Sequence, residues 1–86
     1  MIPDRPWVDP VLDEAVTAVR RKQFGAAIPV LAATRGDPEL RALRVEALAR
    51  AAMGESRAIE MLLAYDRTNP DLWLWLGRTR IEEAWE

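Results

Sequence analysis

The chain is short, and its composition excludes several classes of protein. It has 86 residues, of which 50% are hydrophobic and 30% charged, so it folds as one small domain and is not disordered by composition. Its net charge of -2 and the lack of any long basic run exclude nucleic acid as an expected partner.

Three segments of the sequence share the pattern [DN]-P-x-L, and each is typical of the start of a helix. They begin at Asp9, Asp37 and Asn69. The Asp or Asn side chain accepts the free N–H groups of the first turn, and the proline that follows already has the backbone angle of a helix. The pattern predicts helices that begin at Pro10, Pro38 and Pro70.

The first two predicted helices follow an extended N-terminal segment, residues 1–8. Helix 1 is predicted at 10–22, because apolar residues recur there at helical spacing and basic residues stand at its C-terminal end. Helix 2 is predicted at 25–35. Pro29 fits this helix if it falls in the first turn, and it would kink a helix that began earlier.

Three more helices are predicted at 38–53, at 56–67 and from residue 70 onward. Gly54 is expected to take the left-handed conformation after helix 3, and Ser56 is expected to cap helix 4. The side chains predicted to face the core are Leu40, Leu43, Ala47, Leu48 and Ala51 on helix 3, and Leu72, Trp75, Leu76 and Thr79 on helix 5.

These elements repeat with a period just above 30 residues. Ala27 returns as Ala58 after 31 residues, and Pro38 returns as Pro70 after 32. A period of this size with two helices in each unit is typical of an α-solenoid.

Two motifs connect this repeat to a known family. Residues 73–77 match the W-x2-L-G opening of a tetratricopeptide repeat, and residues 58–70 follow the spacing of the second helix of that repeat. The chain therefore resembles a tetratricopeptide-like helical repeat, although helices 1 and 3 lack the opening motif and the units are shorter than usual. The resemblance implies an all-α fold of five helices, with antiparallel hairpins stacked as a short solenoid. Residues 9–86 would form one domain of about two and a half repeats.

The tryptophans of helix 5 raise a separate question. Trp73 and Trp75 lie about 200° apart around a helix, so they cannot share one face. A second apolar stripe runs through Leu74, Ile81 and Trp85, where a solenoid would place the next helix. Three interpretations stay open: the chain is cut from a longer repeat protein, the stripe is a homodimer or partner interface, or the rings lie on the surface or fold back onto the domain.

The residue inventory gives little support for catalysis. Cysteine and histidine are both absent, so the usual nucleophile–base pairs and soft-metal sites cannot be built. Neighbouring carboxylates such as Asp13 and Glu14 point about 100° apart on a helix and cannot grip one reacting atom together. We expect a protein that is not an enzyme and that holds neither a cofactor nor a metal.

The sequence instead favours a non-catalytic module that binds a protein or peptide through the groove of the repeat or through the exposed face of helix 5. The alternative is a structural N-terminal helical domain, or an oligomerisation segment, of a larger bacterial protein. A homo-oligomer through helix 5 is one form that this association would take. The candidate partner-binding residues are Arg20, Arg41, Arg44, Trp73, Arg80 and Trp85. The arginines are placed on the sides of helices 1, 3 and 5 that face away from the core, where their guanidinium groups would bind an acidic peptide.

The same sequence predicts location and origin. No apolar run approaches the ~20 residues of a membrane span, and the N-terminus lacks the apolar stretch of a secretory signal. We expect no membrane partner and a cytoplasmic protein, in agreement with the lack of cysteine. Eleven of the twelve basic residues are arginine, a bias typical of GC-rich bacterial genomes.

Overall fold

In the computed structural model, which describes residues 9–85, all regular secondary structure is helical. The predicted all-α class is therefore confirmed for this part of the chain. The predicted extended segment 1–8, with Trp7, lies outside the described residues. The elements are α1 (Pro10–Arg20), a 3-10 helix (Phe24–Ala26), α2 (Ala27–Ala32), α3 (Pro38–Ala51), α4 (Ser56–Tyr65) and α5 (Pro70–Ala84).

The three proline-led helix starts form as predicted. The Asp9 carboxylate accepts the backbone N–H of Leu12 at 3.1 Å, and Asp37 accepts that of Leu40 at the same distance. The Asn69 side-chain oxygen accepts two first-turn N–H groups of α5, the closer at 2.9 Å. Each cap supplies an acceptor to donors that have no partner inside the helix, which typically stabilises a helix by ~1 kcal/mol.

Helices 1 and 2 are shorter than predicted. Lys22 takes a left-handed conformation with φ of 71°, and the N–H of Gln23 then bonds back to the carbonyl of Ala18 at 2.8 Å. This closes α1 two residues before the predicted end, with a lysine where glycine is usual. The predicted helix 2 divides into the 3-10 helix and α2, and Pro29 is the third residue of α2. It lies in the first turn, where its missing N–H costs no hydrogen bond.

The connection between α3 and α4 agrees with one prediction and corrects another. Gly54 takes the left-handed conformation, with φ of 84°, as expected. Ser56 does not cap α4, because it is already the first helical residue, and the cap residue Glu55 makes no side-chain bond to the helix. Both helices also end two residues earlier than predicted, at Ala51 and Tyr65.

The core lies where α3 and α5 pack against each other and against their neighbours. Backbone contacts join α3 to α1, α2 and α5, while α5 also contacts α2 and α4. Leu48, Leu72 and Trp75 are fully buried as predicted, but Leu43 is 55% exposed and does not belong to the core. Within the described range, α3 and α4 have no Cα atoms within 8 Å of each other, so α5 rather than α3 is the direct neighbour of α4.

Candidate functional site: the outer face of α5

The structure separates the six predicted partner-binding residues into three groups. Trp73 and Arg80 line the same surface groove between α4 and α5, and Trp85 is 82% exposed at the end of α5. Arg20 is exposed on α1, which makes no contact with α5. Arg41 and Arg44 point into the protein.

Arg44 is 8% exposed, and its predicted position on an outward side of helix 3 was wrong. Its Nε donates to Asp9 Oδ2 at 2.8 Å, and its Nη2 donates to Asp9 Oδ1 at 3.2 Å. Its Nη1 donates to the backbone carbonyl of Val30 at 2.8 Å. Arg44 therefore ties the first turn of α1 to the C-terminal half of α2, where carbonyl groups lack partners inside the helix.

Arg41 makes the equivalent connection to α5, so its expected outward position is also corrected. Its Nη2 lies 2.7 Å from the Asp71 carboxylate, and its Nη1 lies 3.3 Å from both the Leu31 carbonyl and the Thr34 hydroxyl. The side chain of Arg41 is 20% exposed. Both arginines of α3 thus stabilise the C-terminal end of α2, a helix of only six residues.

Asp71 is the buried acid with which Arg41 pairs. Its side chain is fully buried in the first turn of α5 and also accepts from Arg35, whose Nη2 lies 2.6 Å away. Burial alone would raise the pKa of Asp71, but the hydrogen bonds from Arg35 and Arg41 outweigh burial and lower it. Sequence reasoning missed Asp71 and Arg35, and an acid at the second helical position was the only local signal of a charge partner.

The pKa of Asp9 is lowered as well, and for a related reason. The side-chain hydrogen bond from Arg44 is the main cause, and the backbone N–H of Leu12 adds to it against the opposing effect of burial. Both carboxylates are therefore held in the ionised form at neutral pH. These pairs link helices within the domain and leave Arg41 and Arg44 little freedom to bind a separate ligand.

The exposed side of α5 is chemically different from that of an ordinary surface helix. We call its uncharged exposed residues the outer face of α5. Between Pro70 and Trp85, Arg80 is the only exposed residue that carries a charge. A solvated helix face is normally rich in charged residues, so a face of this kind is typical of a contact surface. The outer face consists of Pro70, Trp73, Leu74, Gly77, Ile81, Ala84 and Trp85.

Large side chains dominate this face. Trp73 is 55% exposed, Leu74 43%, Ile81 51% and Trp85 82%. The predicted second stripe through Leu74, Ile81 and Trp85 is therefore exposed, while the stripe through Leu72, Trp75, Leu76 and Thr79 is buried as predicted.

Grooves run along both sides of the outer face. One groove, of about 560 Å³, lies between α3 and α5 and is lined by Ala42 and Val45 opposite Leu74, Gly77 and Ile81. The other, of about 550 Å³, lies between α4 and α5. Trp73 borders both.

The ring of Trp73 is fixed in place by a hydrogen bond. Its Nε1 donates to the backbone carbonyl of Arg67 at 2.6 Å, which orients the indole across the α4–α5 connection. Beside it, Arg80 pairs with Glu60 of α4. An oriented indole next to an exposed guanidinium group gives this edge of the face a polar rim, as many protein interfaces have.

A small charge network borders the opposite edge of the face. Arg78 of α5 lies 2.8 Å from Glu82 and 3.8 Å from Glu46 of α3. Arg50 lies 2.8 Å from Glu46 and 3.7 Å from Glu82. Two arginines and two glutamates balance, so the apolar face is flanked on this side by a neutral cluster.

Neither a cluster of metal ligands nor a helix fit to cross a membrane occurs within residues 9–85. No group of three or more acidic side chains there is arranged to hold a metal ion. None of the helices in that range has the length and apolar character needed to cross a membrane. No protein-family model, curated protein or solved structure matches this chain.

Proposed function

We propose that the protein is a non-catalytic interaction module that binds another polypeptide through the outer face of α5. The observation that carries the proposal is the composition of that face: four large apolar side chains are exposed together on one helix, with no exposed acid among them. Most of the free energy of protein association comes from a few buried aromatic and aliphatic side chains, and tryptophan is prominent among them.

The surrounding architecture supports this role. α3 and α4 contact α5 and support it from behind. In this proposal α1, α3 and α5 lie side by side, as the first helices of successive tetratricopeptide-like repeats do. A rigid helical scaffold of this kind presents a preformed surface, so little ordering entropy is lost when a partner binds.

The proposal uses three of the six residues singled out in the sequence. Trp73 and Trp85 supply the aromatic contacts, and Arg80 supplies the charged rim. Arg41 and Arg44 have no role in it, because their guanidinium groups are held by Asp71 and Asp9.

Capture of proteins from a bacterial lysate tests the proposal, with the intact chain as bait and mass spectrometry as the readout. We expect Leu74→Arg to reduce recovery of the specific partner at least tenfold, because a buried unpaired charge at an interface typically costs 2 kcal/mol or more. Met61→Arg is the matched control, since Met61 is 67% exposed on α4 and lies outside the face.

Circular dichroism must first show that both variants fold like the wild type. If wild type, Leu74→Arg and Met61→Arg then recover the same proteins in the same amounts, and the chain does not associate with itself, the outer face is not the binding surface.

A further inference from the structure

A five-position seam runs along the centre of the outer face. Its residues follow one another at intervals of four, three, four and three: Pro70, Leu74, Gly77, Ile81 and Ala84. All five are exposed and uncharged. This is the spacing of the contact seam in a coiled coil, where apolar residues repeat every 3.5 positions and face a second helix. The spacing therefore points to a helix, rather than an extended peptide, as the occupant.

No packing contact inside the described part of the domain accounts for Gly77 at the middle of the seam. A glycine in a helix interior is less favourable for helix formation than alanine. Here a Cβ atom would find no atom within 4 Å apart from its chain neighbours and the adjacent backbone of its own helix, so close internal packing does not require its absence. A glycine on an exposed helix face does permit another backbone to approach closely, as small residues do where two helices cross.

The seam is nearly symmetric about Gly77, since Leu74 lies three residues before it and Ile81 four residues after it. Leu74 and Ile81 flank the glycine, and Pro70 and Ala84 lie beyond them at equal steps along the seam. If a second α5 packs antiparallel with its own Gly77 opposite this one, Leu74 of each copy meets Ile81 of the other. An isologous dimer needs such self-complementarity, because each copy contributes the same patch.

The amount of apolar surface is sufficient for a dimer of modest affinity. Trp73, Leu74, Ile81 and Trp85 together expose roughly 400 Å² of apolar area per copy, taking ~200 Å² for a free indole and ~120 Å² for a free aliphatic side chain. Homodimer interfaces are about 65% apolar, so two copies would bury roughly 1,200 Å² in all. This lies at the lower end of the size range of specific interfaces, which includes weak and transient complexes, so we expect a micromolar dissociation constant.

The charges beside the seam do not oppose this pairing. An antiparallel two-fold arrangement brings Arg78 of one copy near Arg78 of the other. Each Arg78 already has Glu82 and Glu46 as partners, so the two clusters meet as neutral groups and can exchange ion pairs.

We infer that the outer face of α5 is an isologous interface, in which two copies of this chain pack their α5 helices antiparallel about Gly77. This inference rests on the proposed function and names its partner as a second copy of the chain.

Sedimentation velocity of the full chain from micromolar to millimolar concentration tests the inference. We expect a monomer–dimer equilibrium with a micromolar dissociation constant. Ile81→Arg should weaken it at least tenfold, because each dimer would bury two unpaired charges. Met61→Arg adds the same charge on α4 and should leave the equilibrium unchanged. A wild type that stays monomeric throughout, or an Ile81→Arg variant that dimerises as the wild type does, overturns the inference.

Gly77→Ala separates an interface role from a structural one, because its two effects have opposite signs. The added methyl group meets open space in the monomer and improves helix propensity, so the melting temperature measured at low concentration should rise by about 4 °C. The same methyl group keeps the two helices apart, so dimerisation should weaken severalfold. Unchanged or stronger dimerisation would overturn the central position of Gly77.

Disulfide trapping tests the orientation, since the chain has no cysteine of its own. In the antiparallel arrangement Gly77→Cys crosslinks to itself, whereas Leu74→Cys crosslinks only to Ile81→Cys in a mixture of the two variants. Self-crosslinking of Leu74→Cys as efficiently as Gly77→Cys would indicate a parallel pair and overturn the antiparallel arrangement.

The lysate experiment distinguishes failure of this inference from failure of the proposed function. If the wild type is monomeric but Leu74→Arg still loses a captured protein, the partner is not a second copy of the chain. The outer face then remains the interaction surface. If the wild type is monomeric and Leu74→Arg captures the same proteins in the same amounts, both the dimer inference and the proposed function fail.

Discussion

Replacing Asp71 with asparagine removes a fully buried charge while keeping the size and shape of the side chain. In the wild type the carboxylate accepts from Arg41 at 2.7 Å through one oxygen and from Arg35 at 2.6 Å through the other. An asparagine keeps one acceptor oxygen and turns an NH2 group toward a guanidinium group. At least one arginine then faces a donor instead of an acceptor.

The expected cost follows from the burial of the three partners. Removing one member of a buried ion pair typically costs 3 to 5 kcal/mol, because the remaining charge stays buried without compensation. Arg41 is 20% exposed and meets this condition, whereas Arg35 is 55% exposed and regains water readily. We therefore expect Asp71→Asn to lower the free energy of unfolding by about 2 to 4 kcal/mol.

Urea denaturation followed by tryptophan fluorescence and by circular dichroism measures this change. A loss of about 3 kcal/mol would lower the melting temperature of a domain of this size by roughly 12 to 24 °C. Asp13→Asn is the matched control, because Asp13 is exposed in the first turn of α1, and its replacement should cost less than about 0.5 kcal/mol. Equal stability of Asp71→Asn and Asp13→Asn would show that the arginines do not stabilise the fold through Asp71.

Three further predictions concern the core, two backbone positions and the response to acid. Leu48→Ala at the centre of α3 should lower the free energy of unfolding by about 2 to 5 kcal/mol. Leu43→Ala on the exposed side of the same helix should lower it by well under about 1 kcal/mol. Similar urea midpoints for the two variants would contradict the core assignment. Gly54→Ala should destabilise by about 1 kcal/mol, because a side chain is unfavourable at the left-handed φ of this residue. Lys22 already carries a side chain at a left-handed φ, so Lys22→Gly relieves strain and should be neutral or stabilising in thermal unfolding. The opposite order of stabilities would contradict the backbone geometry. The pKa values of Asp9 and Asp71 are lowered on folding, so their contribution to stability is complete above the unfolded value of ~3.9 and is lost as pH falls from there through the folded values. Urea midpoints of the wild type should therefore drop below about pH 4, and the drop should be shallower in Asp71→Asn; equal slopes would exclude Asp71 as a source of the acid sensitivity.

The helix starts were predictable because capping is chemistry between near neighbours. Asp9, Asp37 and Asn69 each bond to an N–H group within three residues. The helix ends were less predictable. Nothing in the local pattern shows that Lys22 takes a left-handed conformation, and its ion pair with Glu55 joins residues 33 positions apart.

The candidate site was predictable in part for the same reason. Helical spacing alone separates the buried stripe of Trp75 from the exposed one of Leu74, and the structure keeps that division. Spacing could not place Arg41 and Arg44, which look like ordinary surface arginines along α3. Their partners, Asp71 and Asp9, lie 30 and 35 residues away in the sequence.

By itself, the sequence determined the helical class, the three proline-led starts and the two apolar sides of α5, since all of these depend on interactions within about one or two helical turns. Only the tertiary structure decided which arginines are buried, that α5 packs directly on α4 while α3 does not, and that Gly77 stands in open space. Those features depend on how distant helices approach one another. Whether a charge is buried beside a partner, or an indole stays exposed, depends on that approach and not on the residue's neighbours in the chain.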